Sequence, residues 1–446
     1  MSRRPYLIPA LLLVVAACTG SADPSTTTSG NGSTSTAVTT PPEETTTTAE
    51  GVTTTTAEAP PVTEADLSGL EGVSDEVKTQ LEDLIRVAQE IRELPFLEPP
   101  VITVVSEDEL ENLVREDIEE EAEDFPADES LYKMLGLLNE TADFEQIVLD
   151  LYGEQVAGYY DGDTGEVVVP AREDGFSLLQ RGTLVHELVH AVTDQHFGFN
   201  DTFQAMIDED RLDQATAYQA LIEGDATLAE VLWVQTLSQG EVGEFLAESL
   251  QIDTAALDAA PRFLSESLIF PYDSGLAFTQ DLYFQGGDWT EVNDAYSVMP
   301  GLPASTEQVI NPDDYRRDVP VEVSILSVDV AGYELERTSV WGEQGFRILL
   351  NQGEGVETLA RAVDGWGGDS YHQWYDGENA ALLIAIVGDT QTDVDELENA
   401  LLSFANEGFP EEKFVWVEQL DGMLYFIAAD ETAIGESIRA TAGLDQ

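Results

Sequence analysis

The stretch Thr183-Leu184-Val185-His186-Glu187-Leu188-Val189-His190-Ala191-Val192-Thr193-Asp194 decides how this chain is read. His186 and His190 stand four apart in a run of helical texture, and residues i and i+4 share one helix face. Two imidazoles so placed converge on one metal ion, and Glu187 beside that face can take a proton from an activated water. Leu184, Val185, Leu188 and Val192 supply the inward-packing side of the same helix. The alternative is a pair of exposed helix histidines. Chance is a poor account of the pattern, because the whole chain has four His and the motif uses two of them. With a single Cys, neither an intramolecular disulfide nor a cysteine-based zinc cluster is available.

Zinc in a catalytic site takes three protein ligands and leaves one position to water. Downstream, Leu212, Ala215, Tyr218, Ile222, Ala226 and Ala229 mark one face of a second helix, and Thr216, Ala220, Glu223 and Thr227 another. The latter face is small except for Glu223, so it can approach the His helix closely and extend one carboxylate. The competing reading of Glu223 is a solvated helix carboxylate, ordinary in a chain this acidic.

Acidic residues outnumber basic ones 88 to 18 over 446 residues, a formal charge of −70. A phosphate backbone needs Lys and Arg to displace its counterions, so nucleic acid is excluded as a natural partner. Anionic lipid headgroups are disfavoured in the same way. The length allows two or three domains with ample core.

The texture changes along the chain. Arg3 and Arg4 precede an apolar run from Leu7 to Ala17, too short for a comfortable membrane span, with the shape of an export signal. It ends in Val15-Ala16-Ala17-Cys18, which resembles the lipobox of bacterial lipoproteins, where the Cys is lipidated and becomes the new N-terminus. The alternative is an ordinary signal peptide cut after an Ala. Residues 19–65 are rich in Thr, Ser and Pro without apolar periodicity, which predicts a disordered stalk. The expected divisions are therefore a signal at 1–18, a stalk at 19–65, a catalytic domain at 66–318 and a smaller α+β domain at 319–446.

Within the folded part, helical spacing runs from Ser74 to Glu93, and Val101–Val105 reads as a strand. Ser106 with Glu109 reads as a capping box that opens another helix. A further helix is expected over Glu129–Leu138. Tyr159-Tyr160 and Val167–Val169 read as two strands joined by the turn at Asp161–Gly165. From Leu178 to Leu237 the pattern is helical with one break near Phe197–Asn200. Beyond Val319, strands near Tyr333–Thr338, Leu382–Val387, Phe414–Glu418 and Leu424–Ala428 alternate with helices such as Val394–Phe404.

The segment His186–Asp194 closely resembles the active-site helix of thermolysin-type metallopeptidases, the gluzincins, in which two His of HExxH and a downstream Glu hold zinc. Glu223-Gly224-Asp225-Ala226 is similar to the third-ligand helix of exported gluzincin-like families. The close match covers about a dozen residues, and a looser one covers roughly 155–237. Thr227 stands where thermolysin proper has an acid, and the His-to-Glu spacing is longer, so the resemblance is to the class and not to the thermolysin family itself. It implies an α+β zincin-like domain: a small mixed sheet whose edge strand, at Tyr159-Tyr160 and Val167–Val169, lines the cleft, with an HExxH helix and a Glu-bearing helix. It implies one Zn²⁺ held by His186, His190 and Glu223, with Glu187 as general base and a peptide or protein as substrate. Asp194 or Asp225 would then fix a ligand imidazole, and Tyr272 or His196 would face the developing oxyanion. His372 is expected to be structural. The competing function is a non-catalytic envelope binding or scaffold lipoprotein on a zincin fold, against which the intact Glu187 argues.

Overall fold

The computed structural model describes residues 70, 73–121, 125–153, 157–171, 175–297, 301–325, 328–351 and 361–444. The signal and stalk expected over 1–65, Cys18 among them, lie outside the described residues. No helix among the described residues is long and apolar enough to cross a membrane.

Helix α1 (Asp75–Arg92) begins where Ser74 accepts a hydrogen bond from the Val77 amide, and ends at Glu93 in the left-handed region. Its buried stripe is Val77, Leu81, Leu84, Ile85 and Ala88. Strand β1 (Val101–Val105) follows, and Ser106 then accepts the Glu109 amide to open α2 (Glu107–Glu121). Helices α3 (Phe125–Met134) and α4 (Phe144–Gly153) lead to β2 (Tyr159–Asp161) and β3 (Glu166–Pro170). Between those two strands Asp161 caps the turn, accepting the Asp163 and Thr164 amides.

The three strands form a small mixed sheet in the order β1-β3-β2, with β1 parallel and β2 antiparallel to β3. Tyr159-Tyr160 therefore lies on an edge strand as expected, whereas Val167–Val169 occupies the central one. The alternation of β3 explains why: Val167 and Val169 face the main core, and Val168 faces a second cluster built on α2 and α4.

The main core is closed by α5 (Leu178–Phe197), α6 (Phe199–Asp208) and α7 (Leu212–Val234). The chain breaks twice here, once at Gly198 as expected and again around Asp210, whose φ is 55°. Helix α5 is buried on all sides from Gly182 to Thr193, so it runs through the interior rather than along the surface. Helices α8 (Gln239–Ser249), α9 (Ala255–Ala259), α10 (Arg262–Gly286), α11 (Thr290–Ala295) and α12 (Thr306–Ile310) complete this part.

A five-stranded antiparallel sheet follows, in the order β4-β5-β6-β8-β7: β4 (Glu334–Ser339), β5 (Trp366–Tyr375), β6 (Ala380–Gly388), β7 (Phe414–Leu420) and β8 (Met423–Ala429). Helix α13 (Gly342–Leu350) and the helix Gln391–Glu407 cover one face, and the helix Thr432–Thr441 covers the other. The first of these cores also takes in Leu131, Met134, Phe144 and Phe263 from far earlier in the chain. The whole is α+β: a small mixed sheet with helices, then an antiparallel five-stranded region.

Candidate metal centre

His186, His190 and Glu223 are buried together, and their ligand atoms all lie within 4.8 Å of one another. Helix α5 presents the two imidazoles one turn apart, with ring centroids 4.6 Å apart and nearly perpendicular. Helix α7 presents Glu223, whose Oε2 lies 3.1 Å from His186 Nε2 and 3.5 Å from His190 Nε2. Donors about 2.0–2.1 Å from a tetrahedral zinc are about 3.3 Å from each other, so this spacing fits one zinc ion. The atoms are also unspent. His190 Nε2 and Glu223 Oε1 are buried without a hydrogen-bond partner.

Glu187 is fully buried beside this group, and neither carboxyl oxygen has a hydrogen-bond partner. Burial pushes its carboxyl well above the usual range, the charge of Glu223 pushes further, and the Tyr160 backbone amide, near it but outside hydrogen-bond geometry, opposes only in part. Glu223 behaves oppositely: burial would raise it, but His190 and the hydrogen bond with His186 pull it below the usual carboxylate range. A third acid, Glu230, brings Oε2 to 3.9 Å from His186 Nδ1. Burial raises its carboxyl, and His186 opposes the rise. Two buried carboxyls and the half-buried Glu230 around two imidazoles form a donor set that attracts a divalent cation.

The surrounding residues fall into place less evenly. Tyr272 is brought to the site, with its ring stacked on His186 at a centroid distance of 6.3 Å. Asp194 is not a partner of the imidazoles: it accepts hydrogen bonds from Tyr160 Oη at 2.8 Å and the Asn200 amide at 3.0 Å, tying α5 to the edge strand and to α6. Asp225 lies two positions past Glu223 and so points to another side of α7. It pairs with Arg92 Nε at 2.6 Å and accepts from Tyr296 Oη at 2.9 Å. His196 is directed to the Pro95 carbonyl, 2.7 Å from Nε2, well outside the group. His372 sits in the five-stranded sheet against Thr338.

Two residues that bear on the site carried no mark in the sequence. Glu230 is one, a single acid among the many of this chain. Arg92 is the other. Its guanidinium lies 4.4 Å from the Trp289 ring centroid and bonds Asn293, fixing Asp225 and with it the helix that carries Glu223. The small residues of α7 also serve a different neighbour from the one expected. Gly224 and Ala220 meet Gly275 of α10, where no side chain would fit between the backbones.

A cavity of about 490 Å³ is lined in part by Tyr272, the residue stacked on His186, though by none of His186, Glu187, His190 and Glu223. Tyr272, Gln219 and Thr216 line its near side, and Phe144, Leu268 and Trp341 are among its mostly apolar walls.

Comparison of the chain with protein-family models, with curated proteins and with solved structures returns no match.

Proposed function

We propose that this protein is a zinc-dependent metallopeptidase of the gluzincin class, exported and held at the cell membrane by a lipid on Cys18. The observation that carries the reading is the buried His186-His190-Glu223 group with the unpartnered Glu187 carboxylate beside it. A structural zinc site has no use for a further acid beside its ligands with no close hydrogen-bond partner, whereas hydrolysis needs a base at that place. Zn²⁺, when bound, would polarise a scissile carbonyl and make water acidic enough to attack near neutral pH.

The chain's own groups would do the rest. Glu187 would take the proton of the attacking water and pass it to the leaving amine. The positive charge held by the three ligands would offset the burial that now raises its carboxyl. Glu230 would hold the His186 imidazole in the tautomer that leaves Nε2 free for metal. Tyr272, stacked on His186 and lining the cavity, would stand where the carbonyl oxygen gains charge. The adjoining apolar walls would exclude water and hold part of the peptide.

The test is a cleavage profile of the purified chain against a diverse peptide library, with and without a zinc chelator. Chelator-sensitive cleavage supports the reading. A zinc-loaded chain that cleaves nothing contradicts it and favours a scaffold on a zincin-like fold.

A further inference from the structure

A second set of acids lies apart from the His-His-Glu group. Carboxylate oxygens of Glu307, Asp318 and Asp389 all lie within 4.8 Å of one another. They come from separated stretches: Glu307 from α12, Asp318 from the chain after it, and Asp389 from just beyond β6, an interior strand of the five-stranded sheet. Glu307 is only 2 % exposed, and its side chain makes no hydrogen bond or ion pair among the described residues although it is aimed into the cluster. Asp318 is half-buried and Asp389 exposed, so one side of the group is open to water.

A buried carboxylate facing two others needs either a proton or a cation. Burial raises the Glu307 carboxyl, and Glu343, Asp318, Asp389 and Asp314 raise it further, to about 8, with no basic side chain opposing. One proton relieves one carboxylate and leaves the other two facing each other. A cation relieves all three. The donors are all oxygen, without the nitrogen or sulfur that zinc prefers. Calcium takes six to eight oxygens at about 2.3–2.6 Å, so donors across the ion are about 4.6–5.2 Å apart, and waters fill open positions. Oxygens all within 4.8 Å of one another can reach one such ion, and the open side leaves room for its waters.

We propose that Glu307, Asp318 and Asp389 form a calcium site that ties the chain following α12 to the five-stranded sheet. The site is separate from the zinc group and would act on stability, because an ion that binds only the folded chain stabilises it by mass action.

The experiment is thermal melting of the full chain, with zinc content checked, in calcium-free buffer, in CaCl₂, and in KCl of equal ionic strength. CaCl₂ is expected to raise the melting temperature of the wild type by about 3 °C or more beyond KCl. Asp389→Asn, at an exposed position, is expected to lose that rise while melting no lower than wild type in calcium-free buffer, since it removes repulsion. Glu307→Gln is expected to lose the rise as well. An equal rise in KCl, no rise at all, or an equal CaCl₂ response in wild type and Asp389→Asn would each overturn the proposal.

Discussion

Gly224, next in sequence to Glu223, packs against Gly275 of the crossing helix so closely that a β-carbon on either would run into backbone of the other helix. The place of Glu223, the proposed third ligand, is thus set by a contact between α7 and α10 as well as by α5. Gly275→Ala should force the helices apart. Overpacking of this kind costs about 1–3 kcal/mol, and zinc affinity should fall with it because Glu223 moves. Gly243, in α8 with open space around it, is the control: Gly243→Ala should be neutral or stabilising by up to ~1 kcal/mol. Urea midpoints and a zinc competition titration would check both.

Arg92 and Asp225 form an ion pair from which water is excluded. Removing one partner of such a pair typically costs about 3–5 kcal/mol, because the other charge is left buried. Arg92→Met should therefore lower the unfolding free energy by that order, and adding Asp225→Asn should recover part of the loss. Equal urea midpoints for Arg92→Met and wild type would refute the role given to this pair.

Much of this arrangement was legible in the sequence, for stated reasons. The HExxH spacing places both His on one face whatever surrounds the helix, whereas Glu223 stays open between a ligand and a solvated helix carboxylate until the fold buries it beside the imidazoles. The hairpin at Tyr159–Val169 announces itself through alternation and its Asp-Gly turn. What stayed hidden depends on tertiary contacts. Strand β5 reads Trp-Gly-Gly-Asp-Ser-Tyr-His-Gln-Trp-Tyr and lacks strand texture, yet nearly all of it is buried. Asp369 there is satisfied by the Trp341 and Gly342 amides and by Trp366 Nε1. Arg92 and Glu230 look like ordinary surface charges until their partners, tens to hundreds of residues away, are placed beside them, and Asp225, expected beside an imidazole, is held by Arg92 and Tyr296 instead. Asp194 looked like a partner for an imidazole because of its spacing, but Tyr160 and the turn at Gly198 claim it.

Stability should fall as pH rises from about 5 to about 7 in calcium-free buffer. Burial lifts the carboxyls of Glu343 and Asp213 to about 7 and that of Asp369 to about 6, above their ordinary values. Between the ordinary and the raised pKa the unfolded chain gives up protons that the folded chain keeps, so stability declines with pH across that window. At about 1.36 kcal/mol per unit, Glu343 alone accounts for on the order of 3 kcal/mol. Melting curves at fixed ionic strength would read the slope, and Glu343→Gln should flatten it. A melting temperature that rises from about pH 5 to about pH 7 would contradict the assignment.

Glu230 faces His186 from the side away from Glu223. Loss of such a partner typically costs about 10–100-fold in metal affinity. Glu230→Ala should weaken zinc binding by that factor in a competition titration, while circular dichroism stays that of the wild type. Unchanged affinity would remove Glu230 from the site.

The most direct measurement is peptide hydrolysis by Glu187→Gln with zinc counted in the same preparation. The substitution keeps size and helix propensity and takes away only the proton acceptor. The account predicts about one zinc per chain in both proteins, and hydrolysis reduced by at least about 10²–10⁴-fold in the variant. A Gln variant that holds its zinc and cleaves peptides as fast as wild type would contradict it.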